Sequence, residues 1–156
     1  MIELDSRVLR VLIAEDETVI RLDLRGVLEA NGLVVCGEAR DGEEAVRLAR
    51  ELQPDVVLMD VKMPQLDGIE ATRRICGEKP LPIVMLTAYA QRALVERAIR
   101  AGAFGYLVKP FRENDVVPAV KAAFARHEEL LSARRTIDSR RDPIRLELLG
   151  GGPSVR

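Results

Sequence analysis

Residues 8–16 read Val-Leu-Arg-Val-Leu-Ile-Ala-Glu-Asp, a nearly continuous apolar run that ends in two acidic residues. Such a run is typical of a parallel strand that is buried on both faces of its sheet. Residues 18–31 then carry apolar side chains at helical spacing among charges, and the pattern stops at Asn31-Gly32, which is typical of a helix end. The sequence therefore begins with a strand, a pair of carboxylates and a helix.

The same alternation of a short apolar run and a longer helical pattern returns four more times. Strands are predicted at residues 33–36, 56–59, 83–86 and 104–108, and helices at residues 43–52, 67–75, 92–101 and 113–131. Because right-handed crossovers place helices on both faces of a parallel sheet, the sequence predicts an α/β fold. Ligands of such sheets bind at the carboxyl ends of the strands, so the residues at those ends are the candidates for function.

Composition excludes several classes of protein. The 156 residues correspond to about one domain, and the net charge of −1 gives no overall attraction to nucleic acid or to an anionic membrane. The longest apolar stretch, at residues 81–90, is too short for a membrane span, and the N-terminus lacks the pattern of a secretory signal. We therefore expect a cytoplasmic protein. The two cysteines and the single histidine offer no zinc-ligand spacing and no Ser-His type of triad.

Polar residues follow four of the five predicted strands. They are Glu15 and Asp16, Asp60, Thr87, and Lys109. Any one of them could be a polar strand end that meets solvent, but parallel strands bring all of them to one edge. Crowded carboxylates repel one another unless a cation joins them, and Mg²⁺ prefers oxygen ligands. Glycine-rich phosphate loops are absent, which disfavours nucleotide binding.

Five segments closely resemble the receiver domain of two-component response regulators. They are residues 11–17, 57–64, 66–68, 83–88 and 101–111. The resemblance covers roughly residues 7–130, and it is greatest to the receiver half of actinobacterial antiterminator-type regulators, whose C-terminal part is a small helical RNA-binding domain. It implies a flavodoxin-like, doubly wound sheet of five parallel strands in the order 2-1-3-4-5, with helices on both faces and a C-terminal helical extension.

The resemblance also implies a phosphorylation site that uses Mg²⁺. Asp60 would be the phosphoacceptor, and Asp16, Asp60 and the backbone carbonyl of Lys62 would be direct ligands of the metal. Glu15 would act on the metal through water; it occupies a position that is often aspartate in the family. The donor of the phosphoryl group would be a sensor histidine kinase.

Three further residues would bind the phosphoryl group and transmit its presence. Thr87 would form a hydrogen bond to a phosphoryl oxygen, and the Lys109 side chain would contact the phosphate. The peptide bond between Lys109 and Pro110 would be cis, as it is in this family. Tyr106 matches the aromatic residue that turns inward as Thr87 moves; a partly buried ring on an edge strand is the alternative interpretation. Phosphorylation would change the face formed by the fourth helix, the fifth strand and the last helix.

These features predict a signalling switch, not a turnover enzyme, although the site would catalyse its own phosphorylation and dephosphorylation. One alternative is a phosphatase that uses Asp16 as its nucleophile. Such phosphatases usually carry the pattern D-x-D-x-[TV] after the first strand. Residues 14–18 read Ala-Glu-Asp-Glu-Thr, which lacks the second aspartate at that spacing. A flavin-binding protein is a second alternative, but the chain has no hydroxyl-rich phosphate loop after the first strand and no tryptophan.

The sequence divides into four predicted parts: an N-terminal tail at residues 1–6, the receiver domain at 7–130, an extension of the last helix at 131–141, and a flexible tail at 142–156. Asp142-Pro143 is expected to end the helix. A second copy of the chain is a candidate partner, through the last helix or through the face of helix 4, strand 5 and helix 5. Too few residues follow for a folded output domain, so it is expected to be absent or truncated, without direct RNA or DNA binding by this chain.

Overall fold

Five strands and five helices alternate along the described part of the chain. This computed structural model describes residues 7–88 and 91–149, and the side chains of these residues as far as residue 137. The strands are β1 (Arg10–Ala14), β2 (Val34–Ala39), β3 (Val56–Asp60), β4 (Ile83–Thr87) and β5 (Gly105–Val108). The helices are α1 (Thr18–Ala30), α2 (Gly42–Leu52), α3 (Gly68–Glu78), α4 (Arg92–Ala101) and α5 (Glu113–Leu149).

The strands form one parallel sheet in the order β2-β1-β3-β4-β5, which confirms the predicted fold. One face is covered by α1 and the first part of α5, and the other by α2, α3 and α4. β1, β3 and β4 are buried on both faces, which explains their continuous apolar sequences. β2 lies on one side of β1 and β3 on the other, so the direction of the strand order reverses at β1. Ligands of such sheets bind at the carboxyl ends of the strands beside this reversal, which here are the ends of β1 and β3.

Capping residues explain where two of the helices begin. The side chain of Asp41 accepts a hydrogen bond from the Glu44 amide at 2.8 Å, and that of Asp67 accepts one from the Glu70 amide at 2.8 Å. Both aspartates therefore satisfy amides of the first turn that have no partner within the helix. As a consequence, α3 starts directly after Asp67, close to the loop that follows β3.

β2 was predicted to stop at residue 36, but it continues to Ala39. Gly37 and Glu38 interrupt the apolar pattern, so the sequence did not indicate this extension. Pairing with β1 continues nonetheless, as far as the register of Ala14 with Ala39. Backbone pairing with the central strand thus decides where this edge strand ends.

α5 also extends beyond its predicted end. It was expected to stop at Asp142-Pro143, with a flexible tail from residue 142, but it is continuous from Glu113 to Leu149. That prediction is wrong as far as residue 149. Proline removes one amide donor and disfavours the helical conformation of the preceding residue, but the hydrogen bonds on either side can carry a long helix past it. The predicted tail at residues 1–6 and the remainder at 150–156 lie outside the described residues.

The chain divides into two compact units between Phe124 and Ala125. The first contains the sheet, and the described part of the second is the continuation of α5, on which Leu130 and Ile137 are exposed. α5 continues without interruption past residue 124 and past residue 130. The predicted domain end at residue 130 therefore stays a prediction. Among the described residues, no helix combines the length and the hydropathy that a membrane crossing requires.

Candidate functional site

Three carboxylates meet at the carboxyl edge of the sheet. Glu15 and Asp16 follow β1, and Asp60 is the last residue of β3; one carboxylate oxygen from each lies within 4.8 Å of the others. The neighbouring register of Ala14 with Met59 on these two strands brings the groups together. Glu15 is fully buried, Asp60 is 5% exposed, and Asp16 faces solvent. Buried carboxylates at this spacing repel one another, so the cluster needs positive charge.

Lys109 supplies a positive charge from the end of β5. Its Nζ lies 2.9 Å from Oε1 of Glu15 and 3.2 Å from Oδ1 of Asp60. Its backbone amide donates to the Thr87 carbonyl oxygen at 2.7 Å, which fixes the start of the side chain beside the end of β4. The peptide bond between Lys109 and Pro110 is cis, as the resemblance implied. One ammonium group therefore bridges carboxylates from two strands.

The electrostatics of the cluster shift the pKa values of two groups in the same direction. Burial, and then the charge of Glu15, raise the pKa of Asp60 to about 7, although Lys109 opposes this shift. Burial alone would lower the pKa of Lys109, but the bond to Glu15 and the charge of Asp60 outweigh it, so that pKa is raised. Lys109 is thus held as a cation, while burial and the charge of Glu15 oppose the ionisation of Asp60.

The donor set suits Mg²⁺. The carboxylates of Asp16 and Asp60 line a cavity of about 300 Å³ together with Lys62, Thr87 and Lys109. Carboxylate and carbonyl oxygens are the ligands that this hard cation prefers, and the cavity has room for the waters that the cation retains. Glu15 is not among the lining residues. Its Oε1 lies 2.9 Å from the Lys109 ammonium, and its Oε2 accepts a hydrogen bond from the Glu17 amide at 3.1 Å.

Thr87 and Tyr106 lie on the neighbouring strands β4 and β5, and Thr87 also lines this cavity. Thr87 is the last residue of β4 and is 3% exposed, whereas Tyr106 on β5 is 46% exposed. Both line a small apolar cavity of about 10 Å³ beneath Leu94 and Ala98 of α4. A volume of this size cannot take an aromatic ring, so an inward turn of Tyr106 requires the neighbouring groups to move.

Gly68, to which the sequence pattern gives no role, also shapes the site. A Cβ atom on this residue would lie 1.9 Å from the backbone carbonyl oxygen of Asp60, and its amide donates to the Val61 carbonyl oxygen at 2.7 Å. Glycine therefore allows the first turn of α3 to pack directly against the backbone of Asp60. Two sequence signals include this residue: segment 66–68, which resembles receiver domains, and the Asp67-Gly68 pair at a helix start, which is equally typical of an ordinary cap.

A family model and individual relatives indicate the same family for this chain. The model of the response regulator receiver domain matches residues 11–121. The transcriptional regulatory protein PdtaR of Mycobacterium tuberculosis is 54% identical over 121 residues, which are 78% of this chain and 59% of the relative. The chemotaxis protein CheY of Thermotoga maritima is 42% identical over 112 residues, which are 71% of this chain and 93% of the relative.

Solved structures agree with these similarities. The response regulator domain of Thermotoga maritima CheB has a TM-score of 0.71 at 32% identity, covering 76% of this chain and 98% of that one. CheY in the CheX-CheY-BeF3-Mg+2 complex from Borrelia burgdorferi has a TM-score of 0.74 at 28% identity, covering 78% and 93%. The chain spans 59% of the length of PdtaR. These similarities give no support to the phosphatase or flavin alternatives. The chain belongs to the family of response regulator receiver domains.

Proposed function

We propose that this chain is a phosphorylation-dependent switch in which Asp60 accepts a phosphoryl group from a sensor histidine kinase. The observation that carries the proposal is the environment of Asp60. Its carboxylate ends β3 at the rim of a cavity, lies 3.2 Å from the Lys109 ammonium, and is grouped with the carboxylates of Glu15 and Asp16. No other described acidic residues form such a group with three potential ligands.

The chemistry follows from the charges. An oxygen of Asp60 forms a bond to the phosphorus atom, while the bond between phosphorus and the kinase imidazole breaks and the electron pair stays with the imidazole. Lys109 neutralises part of the charge on the transferring oxygens. Mg²⁺, held by Asp16, Asp60 and the Lys62 carbonyl with Glu15 acting through water, would supply further neutralisation when bound. The site turns over no external substrate besides the phosphoryl donor, and it catalyses only its own phosphorylation and hydrolysis.

Transmission of the signal uses Thr87 and Tyr106. The Thr87 hydroxyl would donate to a phosphoryl oxygen and so move toward it, vacating space for the Tyr106 ring. Such a charge-assisted hydrogen bond is worth about 1.5–3 kcal/mol, enough to shift a two-state equilibrium about ten- to a hundredfold. The exposed side chains of Ile99, Tyr106 and Val108 support the face of α4, β5 and α5 as the surface that changes.

The partners of the switch are part of the same proposal. Besides the kinase, a second copy of the chain could bind through that face or through α5, where the exposed Leu130 and Ile137 lie seven residues apart, about two helical turns. Direct RNA or DNA binding by this chain is not proposed, because the net charge is −1. A cytoplasmic location stays a prediction.

Phosphorylation by acetyl phosphate in the presence of Mg²⁺ tests the proposal. Intact-mass spectrometry should show one added phosphoryl group on the wild type and none on Asp60→Asn. Asp16→Asn should be labelled much more slowly than the wild type, because a direct ligand of the metal is lost. Labelling of Asp60→Asn together with no labelling of Asp16→Asn would instead support Asp16 as the nucleophile.

A further inference from the structure

Arg21 is a buried charged residue whose position on α1 needs an explanation. It is 8% exposed, although arginine seldom lies inside a protein without a specific partner. Its Nη1 donates to the backbone carbonyl oxygen of Glu15 at 2.8 Å, in a buried contact, and its Nε donates to Oε1 of Glu38 at 2.9 Å. The planar guanidinium therefore joins the end of β2 to the end of β1.

The backbone at Glu15 is held on two sides. Its amide donates to the Ala39 carbonyl oxygen at 2.9 Å, and its carbonyl oxygen accepts from Arg21. That carbonyl belongs to the peptide unit that leads directly into Asp16. Rotation of this unit would move both acidic side chains, so the two hydrogen bonds fix where the carboxylates stand relative to Asp60.

We propose that Arg21 is a positioning residue for the metal site, which holds the peptide between Glu15 and Asp16 in its ligating geometry before the ion binds. The inference rests on the proposed binding of Mg²⁺ at Asp16 and Asp60. Residues that orient metal ligands through hydrogen bonds typically contribute 10–100-fold to metal affinity. Arg21 acts in this way through a backbone carbonyl, without contacting the ion.

The sign of the effect separates this role from simple electrostatics. Arg21 is a cation near a cation site, so its charge alone opposes Mg²⁺ binding. Removing the charge should therefore strengthen binding if Arg21 acts only through space. If it positions the ligands, removing it should weaken binding.

Arg25 provides a matched control on the same helix. It pairs with the other carboxylate oxygen of Glu38 and, at 3.2 Å, with Glu29. Arg25→Met removes the same charge and disturbs the same glutamate, but it leaves the bond from Arg21 to the Glu15 carbonyl in place. Arg21→Met removes that bond and keeps an unbranched apolar stem.

The test is isothermal titration of Mg²⁺ into the metal-free full chain, together with the ¹⁵N and ¹H shifts of the Asp16 amide before metal is added. We expect Arg21→Met to raise the Kd about tenfold and to move the Asp16 amide signal. Arg25→Met should leave the Kd within about twofold and the signal in place. Circular dichroism verifies that each variant is folded.

Arg21→Lys keeps the test valid if Arg21→Met does not fold. Lysine keeps the charge but not the fork that reaches two acceptors, so we expect a Kd at least about threefold above that of the wild type. An unchanged or lower Kd in the folded Arg21 variants, or an equal rise in Arg25→Met, would overturn the positioning role. Failure of the wild type itself to bind Mg²⁺ would overturn the proposed metal site, and the inference with it.

Discussion

Replacing Asp60 by asparagine should stabilise the metal-free protein above neutral pH, although it removes the proposed phosphoacceptor. Burial and the charge of Glu15 raise the pKa of Asp60 from 3.8 to about 7. A group whose pKa is raised on folding gives its full stability below the unfolded pKa and loses it as the pH rises through the folded pKa. Ionised Asp60 therefore opposes folding above about pH 7, whereas asparagine carries no charge at any pH.

The size of the effect follows from the difference between the pKa of Asp60 in the unfolded and in the folded protein, which defines a pH window. The window runs from 3.8 to about 7, and each unit corresponds to about 1.36 kcal/mol, so the full difference is about 4 kcal/mol. Between about pH 5 and pH 8 the wild type should lose about 2–3 kcal/mol relative to the variant. This difference already includes the attraction between Asp60 and Lys109, because that ion pair is one of the contributions that set the pKa of Asp60.

Urea denaturation followed by far-UV circular dichroism in the presence of EDTA measures this difference. The free energy of unfolding of Asp60→Asn minus that of the wild type should rise by about 2–3 kcal/mol over the range. Asp23→Asn, at an exposed position of α1, corrects for the loss of one carboxylate. Mg²⁺ at pH 8 should stabilise the wild type more than Asp60→Asn. A difference that stays constant with pH would refute the raised pKa of Asp60.

Three further predictions concern neighbouring residues. Gly68→Ala should destabilise the protein by about 1–3 kcal/mol in urea denaturation and slow phosphorylation, because its Cβ meets a backbone carbonyl, whereas Gly77→Ala, with open space around its Cβ, should be neutral or stabilising. Asp16→Asn should abolish Mg²⁺ binding in calorimetry and Glu15→Gln should only weaken it; equal losses would make Glu15 a direct ligand. Thr87→Ala should still accept one phosphoryl group but show much smaller NMR shift changes at residues 91–108 on adding beryllofluoride; undiminished changes would contradict its coupling role.

The order of strands and helices was predictable because each buried strand carries its own local signal. β1, β3 and β4 each carry four consecutive apolar residues, since helices cover both faces of the sheet. β2 lies at an edge and ends in Gly37-Glu38-Ala39, so its last residues carry no apolar signal. Its true end depends on hydrogen bonds to β1, which no local pattern records.

The end of α5 could not be read from the sequence for a different reason. A proline in a helix costs about 3 kcal/mol, which makes Pro143 a reasonable stopping point. Pro118 lies within the same helix, however, in the part that packs on the sheet between the buried Val116 and Val120. Proline lowers the stability of a helix without forbidding it, so neither position ends α5.

The shared position of the candidate site residues was predictable, but their contacts were not. Parallel topology alone brings the ends of β1, β3, β4 and β5 to one edge, and there the structure places Glu15, Asp60, Thr87 and Lys109. Topology does not reveal which carboxylate pairs with the ammonium or that Gly68 touches the Asp60 backbone. Those contacts depend on side-chain lengths and helix positions that are set only when the whole domain packs.

Lys109 would connect the proposed phosphorylation site at Asp60 with the proposed switch residue Thr87, in a way that neither residue type nor spacing reveals. Its ammonium is shared between Glu15 and Asp60, while its amide is bonded to the Thr87 carbonyl. A phosphoryl group on Asp60 would place new negative charge farther into the cavity, and the flexible lysine stem can follow it. The Lys109 amide donates a hydrogen bond to the Thr87 carbonyl oxygen at 2.7 Å. The phosphoryl group would attract both the Lys109 ammonium and the Thr87 hydroxyl, and both forces would act on the ends of β4 and β5. The two responses therefore reinforce each other, and the ends of β4 and β5 should move as one unit.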